Sequence, residues 1–248
     1  MTLQEFFREN PKVALAFSGG VDSAYLLYAA KQYSAQVRAY YVRTAFQPLS
    51  EREDARRLAE LLDAELRELT VDVLAEEIVR ANPPDRCYHC KRVMLSEILR
   101  EAERDGFPVL ADGTNASDDA DDRPGMRALR ELSVRSPLRE CGLTKPEVRR
   151  LSREAGLFTW DKPAYACLAT RVPTGVELTA DRLERTERAE AYLSSLGFRD
   201  FRVRLAGDAA KLQVKREQLG LALERREAIL EELKKSYADV LLDLEVRE

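Results

Sequence analysis

Val13-Ala14-Leu15-Ala16-Phe17 runs straight into Ser18-Gly19-Gly20-Val21-Asp22-Ser23, and this junction limits the fold more tightly than any other stretch. Leu26, Leu27 and Ala30 then follow at helical spacing, so the stretch predicts a strand, a tight turn and a helix. Glycines at such a junction let several backbone N–H groups point at one centre. A nest of that kind at a helix N-terminus receives anions. Ser18 and Ser23 add hydroxyl donors, and Asp22 can hold a metal that bridges phosphate oxygens. The expected guest is a phosphate chain.

No Gly-x-x-x-x-Gly-Lys-Ser/Thr is present, so the ordinary loop that hands over a γ-phosphate is not expected. Ser18 to Ser23 instead resembles the PP-loop of the ATP-pyrophosphatase families. Such loops grip pyrophosphate and leave AMP on a substrate. The resemblance implies ATP with Mg2+ as cofactors and Ser18, Gly19, Gly20, Val21, Asp22 and Ser23 as their ligands.

At 248 residues and 45% hydrophobic content, the chain can build one large domain with an appendage. Lys+Arg 40 against Asp+Glu 44 leaves a net charge of -4, which argues against a nucleic-acid partner. Residues 1–10 lack an apolar signal segment, and no apolar run approaches the ~20 residues of a membrane span. A cytoplasmic protein, away from membranes, is expected. A homo-oligomer is expected as well.

Val37 to Val42 reads as a second strand, Ser50-Glu51-Arg52-Glu53 as a capping box opening a helix to about Leu62, and Leu66 to Val71 as a third strand. Alternating strands and helices predict a parallel sheet whose ligands sit at the carboxyl strand ends. Thr44 and Gly113, each just past such an end, are therefore candidate nucleotide contacts. Pro83-Pro84 predicts a fixed loop presenting Cys87 and Cys90, with a helix from Lys91 to about Asp105. Asp118, Asp119, Asp121 and Asp122 read as a solvated loop or as a lid. Thr144-Lys145-Pro146-Glu147 is a second capping box, with its helix closed by Gly156. The segment from Trp160 to Pro173 lacks periodicity yet carries Lys162, Cys167 and Arg171, which suits an active-site loop.

From Thr179 the order is helix, two strands, helix, strand, which predicts a small antiparallel α+β domain. A long helix with Leu183, Ala189, Leu193 and Leu196 inward opens it, and a further helix carrying Leu219, Leu223, Leu230 and Leu233 and a closing strand with Val240, Leu242, Leu244 and Val246 in step complete it. The expected domains are 1–175 and 176–248. Along the first strand Arg202 and Arg204 share the face opposite Phe201, Val203 and Leu205. Such a pair is either solvated or a fork for a phosphate or carboxylate.

Four cysteines in a chain of this kind suit ligands or nucleophiles better than disulfides. Cys87 and Cys90 can grip one metal, with Cys167 as third ligand and Cys141 able to complete a zinc site. Three cysteines with one open position suit an iron–sulfur cluster equally well.

Taken together, Phe17 to Ser23, Arg86 to Lys91, Asp112 to Asn115, Arg123-Pro124-Gly125, Lys162 to Arg171 and Arg202-Val203-Arg204 resemble the LarE family. These are ATP-dependent sulfur transferases that make the nickel-pincer nucleotide cofactor of lactate racemase. The resemblance implies an α/β PP-loop domain, related to the adenine nucleotide α-hydrolases, with a small α+β C-terminal domain. It implies that ATP adenylates a carboxylate of pyridinium-3,5-biscarboxylic acid mononucleotide and that sulfur then replaces AMP. Some members sacrifice the sulfur of a lone cysteine at the position of Cys167. Others hold a [4Fe-4S] cluster on three cysteines, and Cys87, Cys90 and Cys167 place this chain with them. By the same resemblance Asp22 and Cys167 are catalytic, while Arg171, Arg202 and Arg204 face the small-molecule nucleotide substrate. A tRNA thiolase of the PP-loop type, or a nucleotide-binding regulatory module with structural zinc, are the alternatives.

Overall fold

The structure is a computed structural model that describes residues 1–118, 124–163 and 165–247. Asp119, Asp121, Asp122 and Arg123, and with them most of the expected lid, lie outside the described residues. The chain divides into two compact units. Unit one is Met1–Val73 with Asp85–Lys162, and unit two is Leu74–Pro84 with Pro163–Glu248.

Unit one contains α1 (Leu3–Glu9), β1 (Lys12–Ala16), α2 (Val21–Gln32), β2 (Gln36–Arg43), α3 (Leu49–Leu61) and β3 (Glu65–Thr70). The chain then leaves for α4 (Glu77–Arg80) in unit two. It returns for α5 (Arg86–Arg104), β4 (Val109–Ala111), α6 (Pro124–Glu131), α7 (Pro137–Glu140) and α8 (Lys145–Glu154).

The four strands pair in the order β3-β2-β1-β4, all parallel. Because strand side chains alternate, each strand feeds two cores. Val13, Leu15, Ala39 and Tyr41 join Phe6, Leu26, Leu27 and Leu138 on one face. Ala14, Tyr40 and Val42 join Leu95, Ile98 and Leu129 on the other. Helices thus cover both faces, as a parallel sheet requires. The connection through α2 leads from β1 to β2, whereas β4 pairs on the opposite side of β1. The end of β1 is therefore a switch point in strand order, the place where such sheets bind ligands.

Local chemistry sets the helix ends, with two departures from expectation. Thr144 and Glu147 form the expected reciprocal capping box, and Gly156 closes the helix at φ 70°. By contrast, α3 begins one residue before Ser50, with extended Pro48 as its cap and no side-chain capping bond. Proline fixes φ there and leaves Ser50 inside the helix. α5 likewise starts at Arg86, so Cys87 and Cys90 lie in its first two turns rather than in a loop. Pro83 and Pro84 lie outside the helix, nothing in Cys-Tyr-His-Cys breaks it, and Tyr88 extends the buried stripe of Leu95, Ile98 and Ala102.

Unit two begins at Pro163, earlier than the boundary expected near residue 175, and recruits Leu74–Pro84. The buried Asn82 side chain explains the recruitment. Its Nδ2 donates to the carbonyls of Pro173 at 2.9 Å and Val176 at 3.1 Å, and the backbone carbonyl of Asn82 accepts from Gly175 N. The unit continues with a 3-10 turn (Leu168–Arg171), α9 (Ala180–Ser195), β5 (Arg202–Ala206), β6 (Ala209–Gln213), α10 (Leu219–Glu224), α11 (Arg226–Leu233) and β7 (Asp239–Leu242).

β5 and β6 are antiparallel, but β6 and β7 run parallel, which corrects the expected all-antiparallel sheet. The helical crossover of α10 and α11 makes the parallel return possible. The single helix expected across Leu219–Leu233 is two, parted at Arg225, with Leu223 exposed and Ile229 and Leu233 buried. β7 ends at Leu242, so Leu244 is exposed rather than in step with the strand.

Candidate active site

The turn between β1 and α2 folds around its own hydroxyls. Ser23 Oγ donates to Gly20 O at 3.2 Å, accepts from Ser18 N at 3.3 Å and lies 3.1 Å from Ser18 Oγ. Gly19 adopts φ 72°, a left-handed conformation that favours glycine, and an added Cβ would stand 3.1 Å from the backbone of Ala55. Ser18 to Ser23 thus forms the expected strand-turn-helix nest, with Gly20 capping α2.

The neighbouring strand end closes on this nest. Asp112, just past β4, accepts from Thr114 Oγ1 at 2.5 Å and Ser136 Oγ at 2.7 Å, which fixes the turn that follows. Gly113 then passes so near α2 that an added Cβ would lie 2.8 Å from Ser23 N. A methyl group cannot share that space with backbone. Gly113→Ala is expected to cost about 1–3 kcal/mol, the scale of overpacking, by forcing the strand end off the helix. Urea unfolding followed by circular dichroism measures it, and an unchanged midpoint would show that the turn yields freely.

Asp22 is held from two sides. Asn115 Nδ2 donates to Oδ1 at 3.2 Å, and Lys145 Nζ, from the first turn of α8, lies 2.5 Å from Oδ2. Asn115 is buried and locked by Ser117 N on its own Oδ1 at 2.9 Å. Sequence reasoning had Lys145 only as part of a capping box and missed its partner, because the contact joins residues 123 positions apart. These two bonds fix the Asp22 carboxylate within the Ser18–Ser23 nest, and carboxylate oxygen is the donor that a hard cation takes. Among the described residues no group of three or more His, Cys, Asp or Glu could hold a metal ion. One carboxylate is the usual protein share of a Mg2+ that also binds phosphates.

Thr44 is buried, and its hydroxyl serves its own turn, donating to Gln47 Oε1 at 2.6 Å and accepting from Phe46 N at 3.0 Å. Lys162 Nζ pairs with Glu51 at 2.8 Å and Asp54 at 2.6 Å on α3. Burial alone would lower its pKa, but the two carboxylates outweigh that and hold the ammonium above the usual lysine value.

Cys87 and Cys90, one turn apart on α5, are neighbours on the helix surface. Cys87 is exposed, with Arg86 Nη2 donating to its Sγ at 3.6 Å, and Cys90 is buried. Two adjacent thiols suit a soft metal centre. His89 instead pairs with Asp85 at 3.1 Å. Cys141 packs against the core around Leu138, and burial pushes its thiol up, which marks a structural residue.

In unit two, Cys167 caps the 3-10 turn and its carbonyl accepts from Thr170 N and Oγ1. Arg171 is buried and bound on every side. It donates to Glu190 Oε1 at 2.7 Å and Oε2 at 3.1 Å, to Ala166 O at 3.0 Å and to Thr170 Oγ1 at 2.8 Å. Glu190 also accepts from Tyr165 Oη at 2.7 Å and Val203 N at 3.0 Å, so it ties this loop to β5.

The strand arginines are not a solvated face. Arg202 is 5% exposed and its guanidinium sits 5.3 Å from the Tyr165 ring centre, with Arg171 at 4.8 Å from the same ring. Arg204 donates to Gln213 Oε1 and to Thr170 O at 2.6 Å. Burial, and after it the charges of Arg171 and Arg247, push both guanidiniums below the ordinary arginine range. An anion among them would relieve that repulsion. Arg171, Arg202 and Arg204 are thus brought together, while Ser18, Asp22, Ser23 and Gly113 assemble in unit one.

A family model described as asparagine synthase matches residues 4–100. The chain is 33% identical to the pyridinium-3,5-bisthiocarboxylic acid mononucleotide synthase of Lactiplantibacillus plantarum over 98% of this chain and 89% of that protein. It is 37% identical to an uncharacterized protein of a Synechocystis strain over 88% of this chain and 81% of that protein. A tRNA-specific 2-thiouridylase of Thermotoga petrophila is 25% identical over 61% of this chain and 54% of its own length. No described helix is long and apolar enough to cross a membrane.

Proposed function

We propose that this chain, which belongs to the family of the pyridinium-3,5-bisthiocarboxylic acid mononucleotide synthases, uses ATP to activate a carboxylate of pyridinium-3,5-biscarboxylic acid mononucleotide and exchanges AMP for sulfur. The observation that carries this reading is the Ser18–Ser23 nest at the switch point of a parallel sheet, with Asp22 facing a cation. A carboxylate oxygen attacks the α-phosphorus of ATP, the Pα–O–Pβ bridge breaks, and pyrophosphate leaves an acyl adenylate. Hydrosulfide then adds to the acyl carbon, AMP departs and a proton passes to solvent, which leaves a thiocarboxylate.

The nest N–H groups and the hydroxyls of Ser18 and Ser23 hold the phosphates, Asp22 holds Mg2+, and the turns at Thr44 and Gly113 receive the nucleoside. Arg202 and Arg204 bind the anionic substrate, and Arg171 with Glu190 braces the loop that carries Cys167. Cys87, Cys90 and Cys167 would hold a [4Fe-4S] cluster, which when bound supplies a replaceable sulfide at an iron without a protein ligand. A cytoplasmic site suits its exposed thiol.

The test is anaerobic purification with iron and sulfide counts, followed by product analysis with the pyridinium nucleotide. Expected are iron with at least as much acid-labile sulfide, AMP with pyrophosphate, repeated turnover on added sulfide, and an intact Cys167 peptide. ADP as sole product would overturn the ATP chemistry. A single turnover with loss of hydrogen sulfide from the Cys167 peptide would overturn the cluster. Thiolation of tRNA rather than the nucleotide would favour the thiouridylase reading, although the chain spans about half the length of such relatives.

A further inference from the structure

Resting on the reading of Arg202 and Arg204 as the seat of the anionic substrate, we infer that Thr170 is a positioning residue that couples substrate binding to the turn carrying Cys167. Cys167, Thr170, Arg171 and Arg204 all belong to unit two. The backbone N–H of Thr170 and its Oγ1 both donate to the Cys167 carbonyl, at 2.9 and 2.8 Å. Arg171 Nη1 lies 2.8 Å from the same Oγ1, and a guanidinium can only donate. The hydroxyl therefore accepts from Arg171 and its own proton is left for Cys167 O. One side chain thus holds the 3-10 turn in a single arrangement.

The backbone of Thr170 reaches the strand arginines. Its carbonyl accepts from Arg204 Nη1 at 2.6 Å, while Arg204 Nε donates to Gln213 Oε1. A guanidinium has five N–H groups, so these two bonds leave others for an anion. An anion bound there fixes the guanidinium, the guanidinium fixes the Thr170 carbonyl, and Thr170 fixes the Cys167 turn three residues back. Without the anion, Arg171 repels both strand arginines across buried space, and the turn hangs on groups that push apart. Transfer steps depend steeply on the placement of the reacting group. A turn that tightens only around substrate holds sulfur transfer back until an acceptor is present.

Amide hydrogen exchange, read by mass spectrometry on the Cys167–Arg171 peptide of the anaerobically purified full chain, tests the coupling without relying on turnover. The Thr170 N–H itself closes the turn, so its exchange reports opening directly. In the unaltered protein, saturating pyridinium-3,5-biscarboxylic acid mononucleotide should slow this peptide roughly tenfold. Thr170→Val keeps the backbone bonds and loses the hydroxyl. It should bind the nucleotide within roughly twofold of the original affinity, yet show less than about twofold slowing, and Thr170→Ser should restore the full effect. A merely structural role would speed exchange equally with and without nucleotide. That result, the same slowing in Thr170→Val, or a loss of affinity that matches the loss of slowing would overturn the coupling. So would the absence of slowing in the unaltered protein with nucleotide bound, whatever the stability of the variant. Failure of the nucleotide to bind the unaltered protein at all is a distinct result, which overturns the substrate reading and the coupling with it.

Discussion

Replacing Asp22 with alanine is expected to lower the rate of AMP and pyrophosphate formation by about a thousandfold. The carboxylate is the group in the nest that faces a cation, with Lys145 at 2.5 Å. Metal neutralisation of transferring phosphates supplies several kcal/mol, and roughly 4 kcal/mol at about 1.4 per decade is about three decades of rate. The substitution also leaves Asn115 Nδ2 and the Lys145 ammonium without their shared acceptor. Asp22→Asn, which retains an acceptor oxygen but no charge, should fall between the two proteins. Rates of AMP release by chromatography, with circular dichroism to confirm folding, decide the matter. A well-folded Asp22→Ala protein within about tenfold of the original rate would remove Asp22 from the chemistry.

Glu190→Ala should be the most destabilising single change in unit two, by about 3–5 kcal/mol, the usual loss when one partner of a buried ion pair is removed. Glu190 accepts from Arg171, Tyr165 and Val203 N, and both charged side chains are buried. Without it, the Arg171 charge stands unbalanced beside Arg202, whose guanidinium burial already depresses. Glu190→Gln should lose less, because it retains an acceptor. Denaturant unfolding reports the difference, and a midpoint shift worth under about 1 kcal/mol would mean that water reaches the pair.

The first domain was legible because its instructions are local. The apolar run before Gly19, the capping box at Thr144 and the glycine at position 156 each act within a few residues, and each appears in place. The same local logic misplaced the start of α5. Pro83-Pro84 pointed to a loop through Cys90, yet prolines just outside a helix do not prevent it from starting at Arg86. In the C-terminal region alternation located β5 and β6 but carried nothing about strand direction. The parallel return of β7 depends on the two-helix crossover before it.

What the sequence by itself determined is the nest of Ser18 to Ser23, the sheet that follows from alternating strands and helices, and the identity of the thiols on Cys87, Cys90 and Cys167. Backbone geometry at Gly19 and side-chain period suffice for those. Only the tertiary structure decided that Gly113 closes on Ser23, that Asp22 meets Lys145, and that Arg202 and Arg204 are desolvated around Tyr165 and Arg171 instead of solvated. Those contacts join positions far apart in the chain. Their energies depend on burial and on which charges burial brings together, quantities that no window of sequence contains.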